Sequence, residues 1–306
     1  MSENATVKDY LMLHFIVGIW SFTAILGLLI SIASIELVFY RTLIATLILG
    51  LIFIWKKSSI RISKSELTKI IGTGFVISVH WILFFWAARV STASVCLAGM
   101  ATTSLWTAFL EPIVNKKSIK GFEVFLGLLV ILGLYVIFRF EWGYWLGLTM
   151  AIGSAMMGAV FSVINGRLTK RHSPYVLTFY EMLGACVFAL LMLPVYAFFF
   201  AENPLQLIPA PMDWLWLLIL SGICTVYAFS VSVELMRRIT AFAVNLTVNL
   251  EPVYGIILAV LIFGEKEKMT SGFYYGTLII LISVLVYPVY NYLGKRRLKS
   301  KNFLGG

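Results

Sequence analysis

Charge is scarce in this chain. Of its 306 residues only 12% are Asp, Glu, Lys or Arg, whereas 60% are apolar, and the mean hydropathy is +0.94. Such a composition leaves too little polar surface to coat a water-soluble particle, which excludes an ordinary globular domain. Cysteine and histidine are also few, three of each. Cys96, Cys186 and Cys224 all fall inside apolar blocks without metal-ligand spacing, so they read as small packing residues. There is no HExxH or GxSxG motif, no nucleotide-binding glycine loop, and no aspartate deep in an apolar run. These gaps weigh against metal-dependent hydrolysis, acyl transfer and direct ATP coupling. The formal charge is +10, but the bases sit in short clusters between apolar runs, where they orient helices in a membrane; no nucleic-acid partner and no cofactor is expected.

What the chain has in abundance is apolar blocks of about twenty residues, the length that crosses ~30 Å of hydrocarbon as a helix. The breaks between them place ten helices near 11–31, 35–55, 68–89, 92–114, 121–139, 143–165, 174–197, 213–233, 240–263 and 271–292. The first run is longer than a signal-peptide core and lacks a clear small-residue cleavage site, so the first helix is expected to be retained. With both termini placed in the cytoplasm, 19 of the 24 Lys and Arg fall in cytoplasmic segments. The positive-inside bias thus selects ten spans and both ends inside.

The sequence also compares with itself. Phe39-Tyr40-Arg41 and Ala45 recur as Phe179-Tyr180-Glu181 and Ala185 at an offset of 140. Gly74 pairs with Gly222 and Thr92-Ala93 with Thr240-Ala241 at 148; Gly127, Ile131 and Leu132 match Gly276, Ile280 and Leu281 at 149. The matches are ordered along the chain and make each half five helices long. Because five is odd, the second half enters the membrane from the opposite side, so the expected fold is an all-α polytopic membrane protein of ten transmembrane helices in two inverted five-helix repeats. The expected divisions are 1–140, 141–294 and a basic cytoplasmic tail, 295–306. Glu111-Pro112 and Glu251-Pro252 look like mates but lie 140 apart, where the local register of 148 pairs Glu251-Pro252 with Thr103-Ser104.

Several polar residues stand at depth. Glu251 is mid-span in the ninth helix, where a carboxylate costs ~2.5–3.5 kcal/mol on insertion scales. Pro252 beside it leaves the Val248 carbonyl without its helical donor, and Asn245 and Asn249 add a polar stripe one turn apart. These features read as a broken, cavity-lining helix whose Glu251 either senses protons or binds a substrate amine; a protonated glutamate bonded to a neighbouring helix is the plainer alternative. His80 is the one histidine at mid-depth, on a face with Thr73, Ile77 and Phe84 and next to Trp81 and Phe85, a surface suited to an amphipathic solute. Trp20, Thr102, Thr103, Trp106, Tyr227 and Ser230 are candidates to complete the wall. Arg41 and its repeat mate Glu181 fall about two helical turns from opposite surfaces, as gating or coupling residues or members of structural ion pairs. Glu111, near the inner end of the fourth helix, is expected to pair with Lys116 and Lys117. Gly147, Ala151, Ser154, Ala155, Gly158 and Ala159 form a small-residue stripe on helix 6, read as helix contact.

Gly18-Ile19-Trp20-Ser21, Phe39-Tyr40-Arg41, His80-Trp81 through Phe84-Phe85, Leu250-Glu251-Pro252 and Gly264-Glu265 together resemble the EamA-type transporters of the drug/metabolite transporter superfamily. The resemblance covers nearly the whole chain. It implies a central cavity lined mainly by helices 3, 4, 8 and 9, with His80 in it, and helices 5 and 10 at the periphery. The proline common in the family's fourth helix is replaced here around Thr103-Ser104, and the Gly-Glu that often follows is missing at Asn115-Lys116. The expected function is a secondary transporter, most simply an exporter, of small metabolites such as amino acids or related organic solutes by alternating access. An intramembrane enzyme and a non-transporting scaffold are the alternatives. The expected setting is a cell membrane of the bacterial inner-membrane kind, with lipids as neighbours, a small-molecule substrate and proton coupling through Glu251; monomeric and homodimeric assembly are both left open.

Overall fold

The computed structural model describes residues 5–140, 142–201, 204–206, 208–267, 269–283, 286 and 290. The proposed tail, 295–306, and the end of the last expected helix lie outside them. No strand occurs among the described residues. Eight helices are long and apolar enough to cross a membrane: α1 (Val7–Leu29), α2 (Ser34–Trp55), α3 (Lys64–Val90), α4 (Ala93–Asn115), α6 (Trp142–Leu168), α7 (Pro174–Phe199), α8 (Pro211–Leu235) and α9 (Ala241–Phe263). Two further helices are present, α5 (Gly121–Phe140), with a shorter apolar stretch, and α10 (Ser271–Ser283).

The starts follow local chemistry. α1 begins four residues earlier than hydropathy alone suggests because Thr6 and Asp9 form a reciprocal cap: the Asp9 N–H donates to Thr6 Oγ1 at 3.3 Å, and the Asp9 carboxylate accepts the Thr6 N–H at 2.8 Å. Ser63 caps α3 with its hydroxyl alone, accepting the Glu66 N–H, while α7 and α8 open on Pro174 and Pro211, whose missing N–H is no loss in a first turn.

Four helices are irregular. α1 is interrupted at Ser21-Phe22, α4 at Ala101-Thr102 and α9 at Asn249-Leu250, and α8 carries a π-helical segment, Leu220–Tyr227. The second segments of α4 and α9 start at Thr103 and Glu251, which are 148 positions apart. In α4 the hydroxyls of Thr102 and Thr103 turn back to the carbonyls of Gly99 and Met100 at 2.8 and 2.7 Å, holding the break without proline. In α9 the Leu250 N–H donates to Thr247 O at 3.0 Å, a tighter turn that precedes Pro252.

α3 lies against α6 and α7, and α2 against α7. The α3/α7 crossing is close because it is made by glycine: a Cβ on Gly74 would stand 2.3 Å from the Glu181 carbonyl oxygen, and one on Gly184 would stand 2.6 Å from that of Ile71. α5 and α10 meet in the same way, the Gly133 and Gly276 backbones leaving no room for a Cβ on either. Across α4 and α9, Asn245 Nδ2 donates to Thr107 Oγ1 at 2.8 Å, and the positions offset by 148 from that pair, Leu97 and Gly255, also meet, with a Cβ on Gly255 falling 2.3 Å from Leu97 Cδ1.

Polar links tie the ends together. On the amino-terminal face Arg238 Nε bonds Asp9 Oδ1 at 2.9 Å, Arg237 donates to the carbonyls of Thr169 and His172, and Glu66 meets His172 and Arg171. Glu111 does not pair with Lys116 or Lys117 as expected. Its Oε2 accepts the Phe242 N–H at 2.7 Å, satisfying a free donor in the first turn of α9, where the helix dipole favours a carboxylate. On the other face Asp213 accepts the Ser31 N–H at 2.9 Å and the Ser31 hydroxyl at 2.6 Å. Glu66 and Asp213 both occupy the third position of their helices, α3 and α8.

Candidate functional site

The irregular helices converge on a central space. A cavity of about 90 Å³ open to the centre of a water molecule, several times what one water requires, is bounded by residues of α1, α2, α3, α4, α6, α8 and α9. Of the residues singled out in the sequence, Trp20, Arg41, His80, Trp81, Phe84, Thr103, Asn245 and Glu251 line it. Thr102, Trp106, Tyr227, Ser230, Asn249 and Glu181 lie off its wall. Asn249 is 1% exposed and donates to Ser104 Oγ at 2.8 Å, fastening the α9 break to the start of the second α4 segment. Trp106 buries its indole N–H with no partner among the described residues. Tyr227 is 40% exposed, its hydroxyl 3.7 Å from Met12 Sδ. Glu181 is fully buried behind Asn165, whose Nδ2 donates to it at 3.4 Å; Asn165 itself lines the cavity.

Among the described residues Arg41 makes no ion pair. It is 3% exposed, its Nε donates to Thr225 Oγ1 at 2.7 Å, and its guanidinium carbon stands 3.7 Å from the Trp81 ring centroid. A guanidinium against an indole face is favourable by ~2 kcal/mol or more when desolvated, which offsets part of the penalty of burying it. The π segment makes the hydrogen bond possible. Thr225 Oγ1 donates to Leu220 O, five residues back, at 2.9 Å, which leaves its lone pair for Arg41. The same segment offers the Cys224 carbonyl to the Trp20 indole at 3.0 Å, fixing the end of the first α1 segment. Two turns of one helix, loosened by a single extra residue each, therefore orient both Arg41 and Trp20.

His80 is fixed by a residue that the sequence reading assigned to packing. Its Nδ1 is 2.8 Å from the Ser154 carbonyl oxygen, which can only accept, so the proton sits on Nδ1. Ser154 Oγ donates in turn to His80 O at 2.7 Å. Nε2 is left as the ring's remaining acceptor, with Phe161 and Phe84 alongside at centroid distances of 5.2 and 6.4 Å. Gly158 packs beside the ring, where a Cβ would lie 3.4 Å from the imidazole, at the edge of ordinary contact. Part of the small-residue stripe on α6 is thus cavity wall: Gly158 and, beyond it, Phe161, Ser162 and Asn165 all face in. The available signal was Ser162 and Asn165 continuing the helical face of Ser154 and Gly158.

Glu251 opens the second α9 segment, is 7% exposed and lines the cavity together with Thr23 of the α1 break, whose hydroxyl donates to Trp20 O at 2.6 Å. Asn245, one and a half turns earlier, accepts from Ser162 Oγ at 3.2 Å while donating to Thr107. One carboxyl group, one guanidinium, an imidazole nitrogen and two amides therefore share a space whose wall includes the rings of Trp20, Trp81, Phe84, Phe161 and Phe229. Such a wall can enclose the apolar body of an organic solute and meet its polar groups at fixed points. Among the described residues no group of three or more His, Cys, Asp and Glu could hold a metal ion.

Comparison with known proteins accords with this architecture. No curated protein matches the chain. Twenty-eight solved chains are similar to it. One of them, described only as a crystal structure of a protein, is similar over 92% of this chain and 98% of its own at a TM-score of 0.67 and 15% identity, which speaks to the fold alone. The model of the EamA-like transporter family matches twice, over residues 9–139 and again over 145–287. The chain is a multi-pass membrane protein that belongs to the EamA-like transporter family.

Proposed function

We propose that this protein is a secondary transporter that exports small metabolites, such as amino acids or related organic solutes, by alternating access of two inverted five-helix repeats, 1–140 and 141–294. The observation that carries the reading is the central cavity, where Arg41, His80, Asn245 and Glu251 meet beside three interrupted helices and a π segment. Irregular backbone at membrane depth is tolerated where it borders a cavity, and transporters place binding groups at such breaks.

The inverted relation is supported by the two helix restarts 148 apart, by the paired contacts Thr107–Asn245 and Leu97–Gly255, and by the carboxylates of Glu66 and Asp213. Glu66 reaches from α3 to the loop between α6 and α7; Asp213 reaches from α8 to the loop between α1 and α2. Each is a latch from one half onto the other, at opposite ends of the molecule. With the termini in the cytoplasm of a bacterial inner membrane, Glu66 is the inner latch and Asp213 the outer one. Loosening them in turn opens the cavity to alternate sides. Glu251 is the group we assign to proton coupling, because it is a buried carboxyl group on the wall of the central cavity.

The test is solute counterflow in proteoliposomes. Exchange of an unaltered solute, lost or sharply reduced in His80→Ala and in Glu251→Gln at normal expression, agrees with the proposal. Chemical conversion of the solute marks an enzyme, and normal exchange in both variants removes these residues from the site.

A further inference from the structure

Arg41 is the one buried arginine among the described residues, yet it uses little of its hydrogen-bonding capacity. Its Nε donates to Thr225 Oγ1, and one face of the guanidinium lies against Trp81. Neither Nη1 nor Nη2 meets an acceptor among the described residues, and neither is sealed from the central cavity that Arg41 lines. Arginines that fasten the fold are spent differently. Arg89 gives Nη2 to the carbonyls of Gly27 and Ile30 at 3.1 and 3.0 Å, and Arg237 gives its Nη2 to that of His172 at 2.8 Å. A guanidinium at membrane depth with idle donors is costly, so its placement is explained by an acceptor that arrives with the solute.

The geometry fixes how that acceptor docks. Thr225 occupies the Nε side and Trp81 one face, which leaves the fork of Nη1 and Nη2 as the free edge. Two parallel N–H groups on such a fork match the two oxygens of a carboxylate. The surroundings limit the acceptor to a single negative charge. Among the described residues of the lining, Arg41 and Glu251 are the only Asp, Glu, Lys or Arg. The other strong donors nearby are already engaged, the His80 Nδ1–H by the Ser154 carbonyl and the Trp20 indole N–H by that of Cys224. A phosphate or a second carboxylate would bring charge that nothing in the cavity balances, and a simple cation would meet the field of Arg41. Glu251, which forms no ion pair with Arg41, is left for an amine where the solute has one.

We propose that Arg41 selects the solute by its carboxylate: the central cavity takes organic monocarboxylates with an apolar body, amino acids among them, and discriminates against their amides, amines and phosphate esters. The inference rests on the reading of this cavity as the binding site of a transporter, and it names the one group that every solute must carry.

The probe is tritiated 3-phenylpropanoate, bound at equilibrium to the full chain in lipid nanodiscs with protein-free nanodiscs as the blank. L-phenylalanine is expected to compete, whereas 3-phenylpropanamide, phenethylamine and 2-phenylethyl phosphate should each compete about tenfold less well than the unlabelled acid, the loss of one charge-assisted contact. In Arg41→Gln the preference for the acid over the amide is expected to shrink to about twofold or less, while Arg89→Lys, outside the central cavity, keeps it. A purely structural Arg41 would weaken acid and amide alike and leave their ratio unchanged. If Arg41→Gln fails to fold, the competition series on the unaltered chain decides. No saturable binding of the acid, equal competition by the amide, a preference untouched by Arg41→Gln, or its loss in Arg89→Lys alone would each overturn the proposal. Counterflow on the unaltered chain reports separately on transport: carboxylate-selective binding without exchange removes the transporter and keeps this selectivity, whereas exchange of the amide or the amine does the reverse.

Discussion

The α3/α7 crossing yields the sharpest quantitative expectation. Gly74 faces backbone, with a Cβ placed 2.3 Å from Glu181 O and 2.9 Å from Ala185 N, so Gly74→Ala can reach ordinary contact only if the helices separate by roughly 1 Å. No side chain can swing aside to absorb the difference. Overpacking of this kind typically costs about 1–3 kcal/mol. Gly72 supplies the control: it lies in the same helix, and a Cβ there meets nothing within 4 Å, so Gly72→Ala should instead gain up to about 1 kcal/mol of helix propensity. Gly184 meets α3 across the same crossing, 2.6 Å from Ile71 O, so the separation forced by one alanine already accommodates much of the other. The double variant Gly74→Ala/Gly184→Ala should therefore cost less than the sum of its parts. Unfolding free energies from reversible denaturation in mixed micelles would measure the four variants against the unaltered chain. Stabilisation by Gly74→Ala, or full additivity of the pair, would refute the argument from shared spacing.

Other consequences are more direct. Ser154→Ala removes the group holding the His80 carbonyl and should lower counterflow severalfold while leaving folding intact; unchanged flux would show that the imidazole needs no such support. Arg41→Lys keeps the charge but loses the planar stack on Trp81 and the Nε bond to Thr225, with an expected cost of about 2 kcal/mol or more in stability, read as a lower melting temperature than that of Trp55→Ala at an 81% exposed position. Glu111→Gln retains an acceptor for the Phe242 N–H and should be mild, whereas Glu111→Leu should cost about 1 kcal/mol or more, compared by the same denaturation. A cysteine at Ser58 should be labelled by an impermeant thiol reagent only from the cytoplasm and one at Gln206 only from outside; labelling of both from one side would invert or break the assigned orientation.

Much of the architecture was legible from hydropathy, because a bilayer leaves few alternatives to long apolar helices. The finer features depended on whether a cause was local. Pro252 announces the break in α9, but nothing so visible marks the break in α4, where hydroxyl groups of Thr102 and Thr103 do the work and threonine is common in intact helices. The register of 148 did connect the two breaks, and it set Glu111-Pro112 apart from them. The extra residue in α8 leaves no composition signal at all, since a π segment arises from how Arg41 and Trp20 are met across space. Gly74 and Gly222 look equivalent in sequence, yet only the first faces a neighbour's backbone.

The touching glycines of α5 and α10 have a mechanical corollary. At Gly133 and Gly276 two main chains come together, one from each matched segment of the chain, and the side chains of Ile137 and Ile280 cover the glycine opposite. Such a spot leaves no slack for the helices to be pushed closer. If the halves rock, this is the axle, and bulk added there should jam the motion long before it disturbs the pocket where cargo sits.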